Sequence, residues 1–88
     1  MKESAVVEQL RLVVRRSWGG DLKMCVIDPI KSASSCFMAS CLVHCYLRPD
    51  CDYSKSRLER VMGKLNAFDY TIRVKSKSLL VTYYITYI

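Results

Sequence analysis

Apolar and polar positions change period along this chain, and the changes divide it into six predicted elements. Over residues 4–17, Val6, Val7, Leu10, Val13 and Val14 recur at helical spacing, while Glu8, Gln9, Arg11, Arg15 and Arg16 mostly take the other side. The acid comes early and the arginines late, as the helix dipole favours, and Gly19-Gly20 is expected to stop the helix. Residues 22–27, LKMCVI, form a short apolar run before Asp28-Pro29, the pattern of a strand in a buried layer. From 31 to 47, with Pro49 beyond, Phe37, Cys41, His44, Cys45 and Leu47 lie three or four apart, as do Met38, Leu42 and Cys45. This spacing predicts a second helix, apolar nearly all round, of the kind found at the centre of a fold or in an interface.

The most regular helical pattern is 54–66, where Leu58, Val61, Met62 and Leu65 follow i, i+3, i+4, i+7. Ser56 and Glu59 have capping-box spacing, and Asp52 or Ser54 offers an earlier cap. Residues 70–75, YTIRVK, alternate strictly: Tyr70, Ile72 and Val74 face one way, Thr71, Arg73 and Lys75 the other. Residues 79–88, LLVTYYITYI, are all β-branched, aromatic or leucine, the strongest strand signal in the chain. Ser76-Lys77-Ser78 is short enough to join these two strands as a hairpin, although it lacks the Gly or Asn of a tight primed turn.

The predicted class is therefore α+β: three helices with a small antiparallel sheet, in the order helix-strand-helix-helix-strand-strand. In that order the chain resembles a winged helix–turn–helix domain, across nearly its whole length. The resemblance rests on element order and not on a motif, and the Arg48–Tyr53 connection is longer than the family's tight turn and holds a proline. It implies that the helix at 54–66 reads duplex DNA and that the hairpin at 70–86 touches the backbone as a wing. It also implies a dimer, since one such module makes few contacts.

Charge adds to this expectation. The 88 residues form one domain and carry a formal net charge of +6. Between Tyr53 and Ser78 there are seven Lys or Arg residues against two acids, Glu59 and Asp69. Lys55, Arg57, Arg60 and Lys64 fall on the helix, and Arg73, Lys75 and Lys77 near the hairpin tip, which makes these seven the candidate nucleic-acid contacts. The competing reading is a solvated helix face with lysines guarding a strand edge. A second functional class stays open beside DNA binding. A non-enzymatic interaction module, an adaptor or inhibitor of a larger protein, would use the apolar run 31–47 and the last strand 79–88. Phe37, Met38, Leu42, Tyr83, Tyr84 and Tyr87 are its candidate interface residues, and the strand could add to a partner's sheet.

Residues 34–51, SSCFMASCLVHCYLRPDC, hold four of the five cysteines and the one histidine. On a helix, Cys41, His44 and Cys45 would share a face, and Cys51 could join them around a zinc ion. From Cys36 through Cys41, His44 and Cys45 to Cys51 the spacings are x4, x2, x0 and x5, but structural zinc sites usually present paired C-x2-4-C knuckles on loops, and this chain has none. Buried thiols are the better reading, so no metal and no cofactor are expected. Catalysis has no anchor: His44 and Cys45 are merely adjacent, and there is no Gly-rich phosphate loop or carboxylate pair. No secretory signal or membrane-length apolar run is apparent, which points to a cytoplasmic or nuclear protein with reduced cysteines and no membrane partner.

Overall fold

The computed structural model describes residues 3–30 and 39–87. Helix α1 runs Glu3–Trp18, followed by a 3-10 turn at Gly19–Asp21. Strands β1 (Leu22–Ile30) and β2 (Ala39–Leu47) come next, then helix α2 (Lys55–Leu65) and strands β3 (Asp69–Lys75) and β4 (Ser78–Tyr87). The four strands form one antiparallel sheet in the order β1-β2-β4-β3. The chain is α+β, but among the described residues it has two α-helices and four strands, so the three-helix, winged-helix-like architecture does not hold.

The difference lies in residues 39–47, expected to be helical and found as a central strand paired on both sides. Residues 31–38 of the expected helix lie outside the described residues. The physical reason is the strand's position. Cys41, Val43, Cys45 and Leu47 face the core, and Leu42, His44 and Tyr46 are half-buried on the other face. A strand that is apolar on both faces has no clean period of two, and a short apolar run of this kind cannot be told from a buried helix by spacing alone.

The other elements follow their sequences closely. In α1, Leu10, Val14 and Trp18 are four apart and all buried, and Gly19 at φ +58° takes the left-handed conformation that ends the helix. Ser54 caps α2, its hydroxyl accepting from the Arg57 N–H at 3.4 Å, and Asn66 closes it at φ 55°. Strand β1 runs on through Pro29, which an edge strand tolerates. A bulge at Lys23 sets two residues of β1 against one of β2. The β3–β4 link is the two residues Ser76-Lys77. Neither has positive φ, so the turn does not need Gly or Asn.

Strands β2 and β3 run in the same direction, are joined by α2, and have β4 between them, which makes a split β-α-β unit. The element order α-β-β-α-β-β, rotated to begin at β2, is the β-α-β-β-α-β order of the ferredoxin-like topology. Both helices pack on one side of the sheet. Their residues Leu10, Val14, Trp18, Leu58, Val61 and Leu65 join the odd-numbered residues of β2 and β4 in one core. Tyr83 anchors α2 to this core, its hydroxyl donating to the Leu58 carbonyl at 3.1 Å.

Candidate functional site

Among the described residues the helices leave the other face of the sheet open, and strand alternation decides which side chains stand on it. The register places them in three rows across β1, β2, β4 and β3: Met24-Tyr46-Leu80-Arg73, Val26-His44-Thr82-Thr71 and Asp28-Leu42-Tyr84-Asp69. A shallow depression of about 270 Å³ lies over the middle of β2, β4 and β3. Tyr46, Tyr84 and Arg73 border it, and Thr82, 7% exposed, is the most buried residue of its lining. The His44 Nδ1 and Thr82 Oγ1 are 3.0 Å apart, and the Thr71 and Tyr84 hydroxyls 3.4 Å apart, so polar groups in the centre are tied to each other. Phe68, 67% exposed, extends the aromatic surface, its ring 6.3 Å from that of Tyr84. Charge is divided along the strands, with Asp28 and Asp69 in one outer row and Arg73 in the other, Lys75 lying beyond it.

The seven expected cations are not brought to one surface. Lys55, Arg60 and Lys64 are exposed on the outer side of α2, and Lys55 approaches Glu59 at 4.0 Å. Arg73 and Lys75 stand on the open face, on the far side of the sheet from α2, and Lys77 is in the β3–β4 turn. Arg57 is not a free contact residue at all. Its guanidinium meets the Asp21 carboxylate at 2.8 Å, donates to the Asp52 carbonyl at 2.9 Å and the Trp18 carbonyl at 3.2 Å, and lies 4.6 Å from the centre of the Trp18 ring. It is a structural clasp between the start of α2 and the end of α1.

The expected interface residues also divide. Leu42 and Tyr84 are on the open face, half-buried. Tyr83 is fully buried in the core, and burial pushes its phenol above the ordinary range. Phe37 and Met38, and the side chain of Tyr87, lie outside the described residues. Strand β4 is bonded to β2 from Leu79 to Tyr87 and to β3 from Ser78 to Tyr84, so only its last three residues, beyond β3, leave an edge for a partner's strand. Among the described residues the outer edges of the sheet are those of β1 and β3.

Among the described residues, the candidate metal ligands Cys41, His44, Cys45 and Cys51 do not converge. His44 is on the open face, whereas Cys41 and Cys45 point into the core, as strand alternation requires. Cys51 is buried after the end of β2, and Cys36 lies outside the described residues. Among the described residues no three His, Cys, Asp or Glu side chains are grouped so as to hold a metal ion. Burial raises the thiols of Cys41 and Cys51. Spacing alone did not show that Tyr46 and Arg73 border one depression, in the same row with Leu80 between them, or that Cys25 stands opposite Cys45. Both relations depend on 39–47 being a strand.

Comparison with protein-family models, with curated proteins and with solved structures gives no match. Among the described residues, no helix is long and apolar enough to cross a membrane.

Proposed function

We propose that this chain is a non-enzymatic binding protein that holds single-stranded nucleic acid on the open face of its sheet. The observation that carries the reading is the depression bordered by Tyr46, Tyr84 and Arg73 on a face that, among the described residues, no helix covers. Unpaired bases stack on exposed aromatic rings, and the phosphates between them need cations within reach. Arg73 and Lys75 supply cations on the same face, with Lys77 at the adjoining turn, in a chain of net charge +6. Duplex DNA fits this face less well. Four strands spaced about 4.8 Å apart span roughly 14 Å before side chains are counted, wider than the ~12 Å major groove, which admits a helix or a two-stranded ribbon. On the helix that would have entered the groove Arg57 is engaged in the clasp, which leaves Lys55, Arg60 and Lys64 as its exposed cations. A cytoplasmic or nuclear location, where nucleic acid is available, goes with this reading.

The test is fluorescence anisotropy with a short labelled single strand and a matched duplex over a range of salt. The single strand should bind more tightly than the duplex, with affinity falling steeply as salt rises. Tyr84→Ala should cost about 1–3 kcal/mol of binding, the range for loss of one stacked base. Arg73→Ala should weaken binding and flatten the salt slope. Absence of single-strand binding at low salt would end this proposal.

One observation favours a second reading, a protein partner, with a second copy of the chain as the simplest case. Met24, 53% exposed, and Val26, 40% exposed, add apolar surface to the same face beside Leu42 and Tyr46. Two copies packed face to face would cover all four. Sedimentation at micromolar concentration should then show a dimer that Met24→Lys disrupts, and a monomer at ~100 µM would remove this reading.

A further inference from the structure

We propose that Cys25 and Cys45 form a two-electron thiol–disulfide pair, in which Cys25 is the thiol attacked by hydrogen peroxide and Cys45 the thiol that resolves it. The two residues are directly opposite each other in the β1–β2 ladder, on the helix side of the sheet. The Cys25 carbonyl accepts from the Arg11 guanidinium at 3.0 Å, outside the ladder. In an antiparallel pair a residue turns its N–H and C=O to the same side, so a carbonyl engaged away from β2 marks a non-hydrogen-bonded pair. Such pairs have Cα atoms about 4.5 Å apart and bring their side chains closest, within the roughly 4.4–6.8 Å that a disulfide spans. Both cysteines are thiols in this structure.

The surroundings give the two sulfurs different parts. Cys25 is half-buried, within reach of a small oxidant, and Cys45 is fully buried. The Cys45 S–H hydrogen bond holds the Cys25 thiol below the usual cysteine range, against an opposing effect of burial, and the guanidinium charges of Arg11 and Arg15 act in the same direction as the bond. That same bond, and then burial, push the Cys45 thiol up. A separate feature points to the Cys45 sulfur. The Trp18 indole N–H is buried without an oxygen or nitrogen partner, and it acts on Cys45 so as to favour negative charge there. This donor is placed to ease loss of the Cys45 proton when the second step requires it. The other described thiols, Cys41 and Cys51, are raised by burial and have no opposing cysteine in the ladder.

The chemistry balances without further partners. The Cys25 thiolate attacks one peroxide oxygen. An S–O bond forms, the O–O bond breaks, and the departing hydroxide takes up a proton and leaves as water. Cys45 then attacks the Cys25 sulfenic sulfur. The S–S bond forms, the S–O bond breaks, and the hydroxyl leaves as a second water with the Cys45 proton. Two thiols and one peroxide give one disulfide and two waters.

The experiment treats the reduced full-length chain with stoichiometric hydrogen peroxide, blocks the remaining thiols and maps the product by mass spectrometry. The chain should lose the mass of two hydrogens, with Cys25 and Cys45 in one linked fragment. Before oxidation, iodoacetamide should label Cys25 at least about tenfold faster than Cys41 or Cys51, since thiolate fraction sets the rate. Cys25→Ser should abolish the disulfide. Cys45→Ser should instead leave a sulfenic acid on Cys25 that dimedone traps. The wild-type map decides the matter even where a serine variant does not fold. A disulfide joining any other cysteines, Cys36 included, a disulfide between two chains, or a Cys25 no faster than Cys51 would overturn the proposal.

Discussion

Replacing Arg57 with alanine is expected to destabilise the fold by about 2–3 kcal/mol. Four interactions end together, and each is discounted for its exposure. The ion pair with Asp21 at 2.8 Å is part-exposed, its side chains 19% and 36% accessible, and is worth ~1 kcal/mol. The bonds to the Trp18 and Asp52 carbonyls come from a charged donor, but water can replace that donor at the exposed Asp52, so ~0.5–1 kcal/mol is assigned to the two. The contact with the Trp18 ring at 4.6 Å adds ~0.5–1 kcal/mol. Against a total stability of roughly 5–10 kcal/mol for a chain of this length, that loss is large. It corresponds to a fall in Tm of about 10–20 °C. Urea unfolding followed by fluorescence of Trp18, the single tryptophan and buried, measures it directly. Arg57→Lys keeps a charge beside Asp21 but loses the planar fork, and should cost about half as much. Arg60→Ala, on the exposed side of the same helix, should stay within about 0.5 kcal/mol of wild type. An Arg57→Ala protein as stable as Arg60→Ala would refute the clasp.

Other consequences can be measured on the same footing. Tyr83→Phe removes the buried hydroxyl that donates to the Leu58 carbonyl at 3.1 Å and should cost ~0.5–1.5 kcal/mol by urea unfolding. Burial, with smaller effects from Cys45 and Tyr70, holds the Tyr83 phenol above its ordinary value of 10.0, so above that pH the folded state keeps a proton that the unfolded state has lost. Stability should therefore fall as pH rises past about 10, and fall less steeply in Tyr83→Phe. Asn66→Gly should be neutral or slightly stabilising and Asn66→Val destabilising by ~1–2 kcal/mol, because the residue sits at φ 55°.

Five of the six elements were legible because each has one clear signal. In α2 it is the unbroken stripe Leu58, Val61, Met62 and Leu65, and in β3 the strict alternation from Tyr70 to Lys75. The second strand was not legible because its two faces differ too little in polarity: Leu42 and Tyr46 on the open side are as apolar as Cys41 and Val43 on the core side. That single ambiguity carried over to the site. As a helix, 39–47 would have put His44 and Cys45 on one surface, left a smaller sheet and sent the hairpin outward as a wing. As a strand, it separates His44 from Cys45, sets Cys45 against Cys25 and draws β4 into the middle of the sheet. The fate of Arg57 was hidden for another reason. Spacing can show that a cation lies off an apolar stripe, but the carboxylate that captures it, Asp21, is 36 residues away in the chain.

Strands β2 and β4 divide stability from binding by parity. Their odd-numbered residues Val43, Cys45, Leu79, Val81 and Tyr83 are essentially sealed from solvent, whereas the even-numbered Leu42, His44, Tyr46, Leu80 and Tyr84 are half-buried on a face with no cover among the described residues. Truncating an odd position opens a cavity under both helices, so Val81→Ala should cost about 1–3 kcal/mol of stability and leave any ligand contact untouched. Truncating an even position removes surface that water already reaches, so Tyr46→Ala and Tyr84→Ala should cost the fold much less and change binding most. A face shaped only by folding would show no such split: its even-numbered tyrosines could be truncated without effect on affinity for single strands or on self-association. Loss of affinity at the even positions with stability retained, set against loss of stability at the odd ones, would mark the open face as the surface this chain uses.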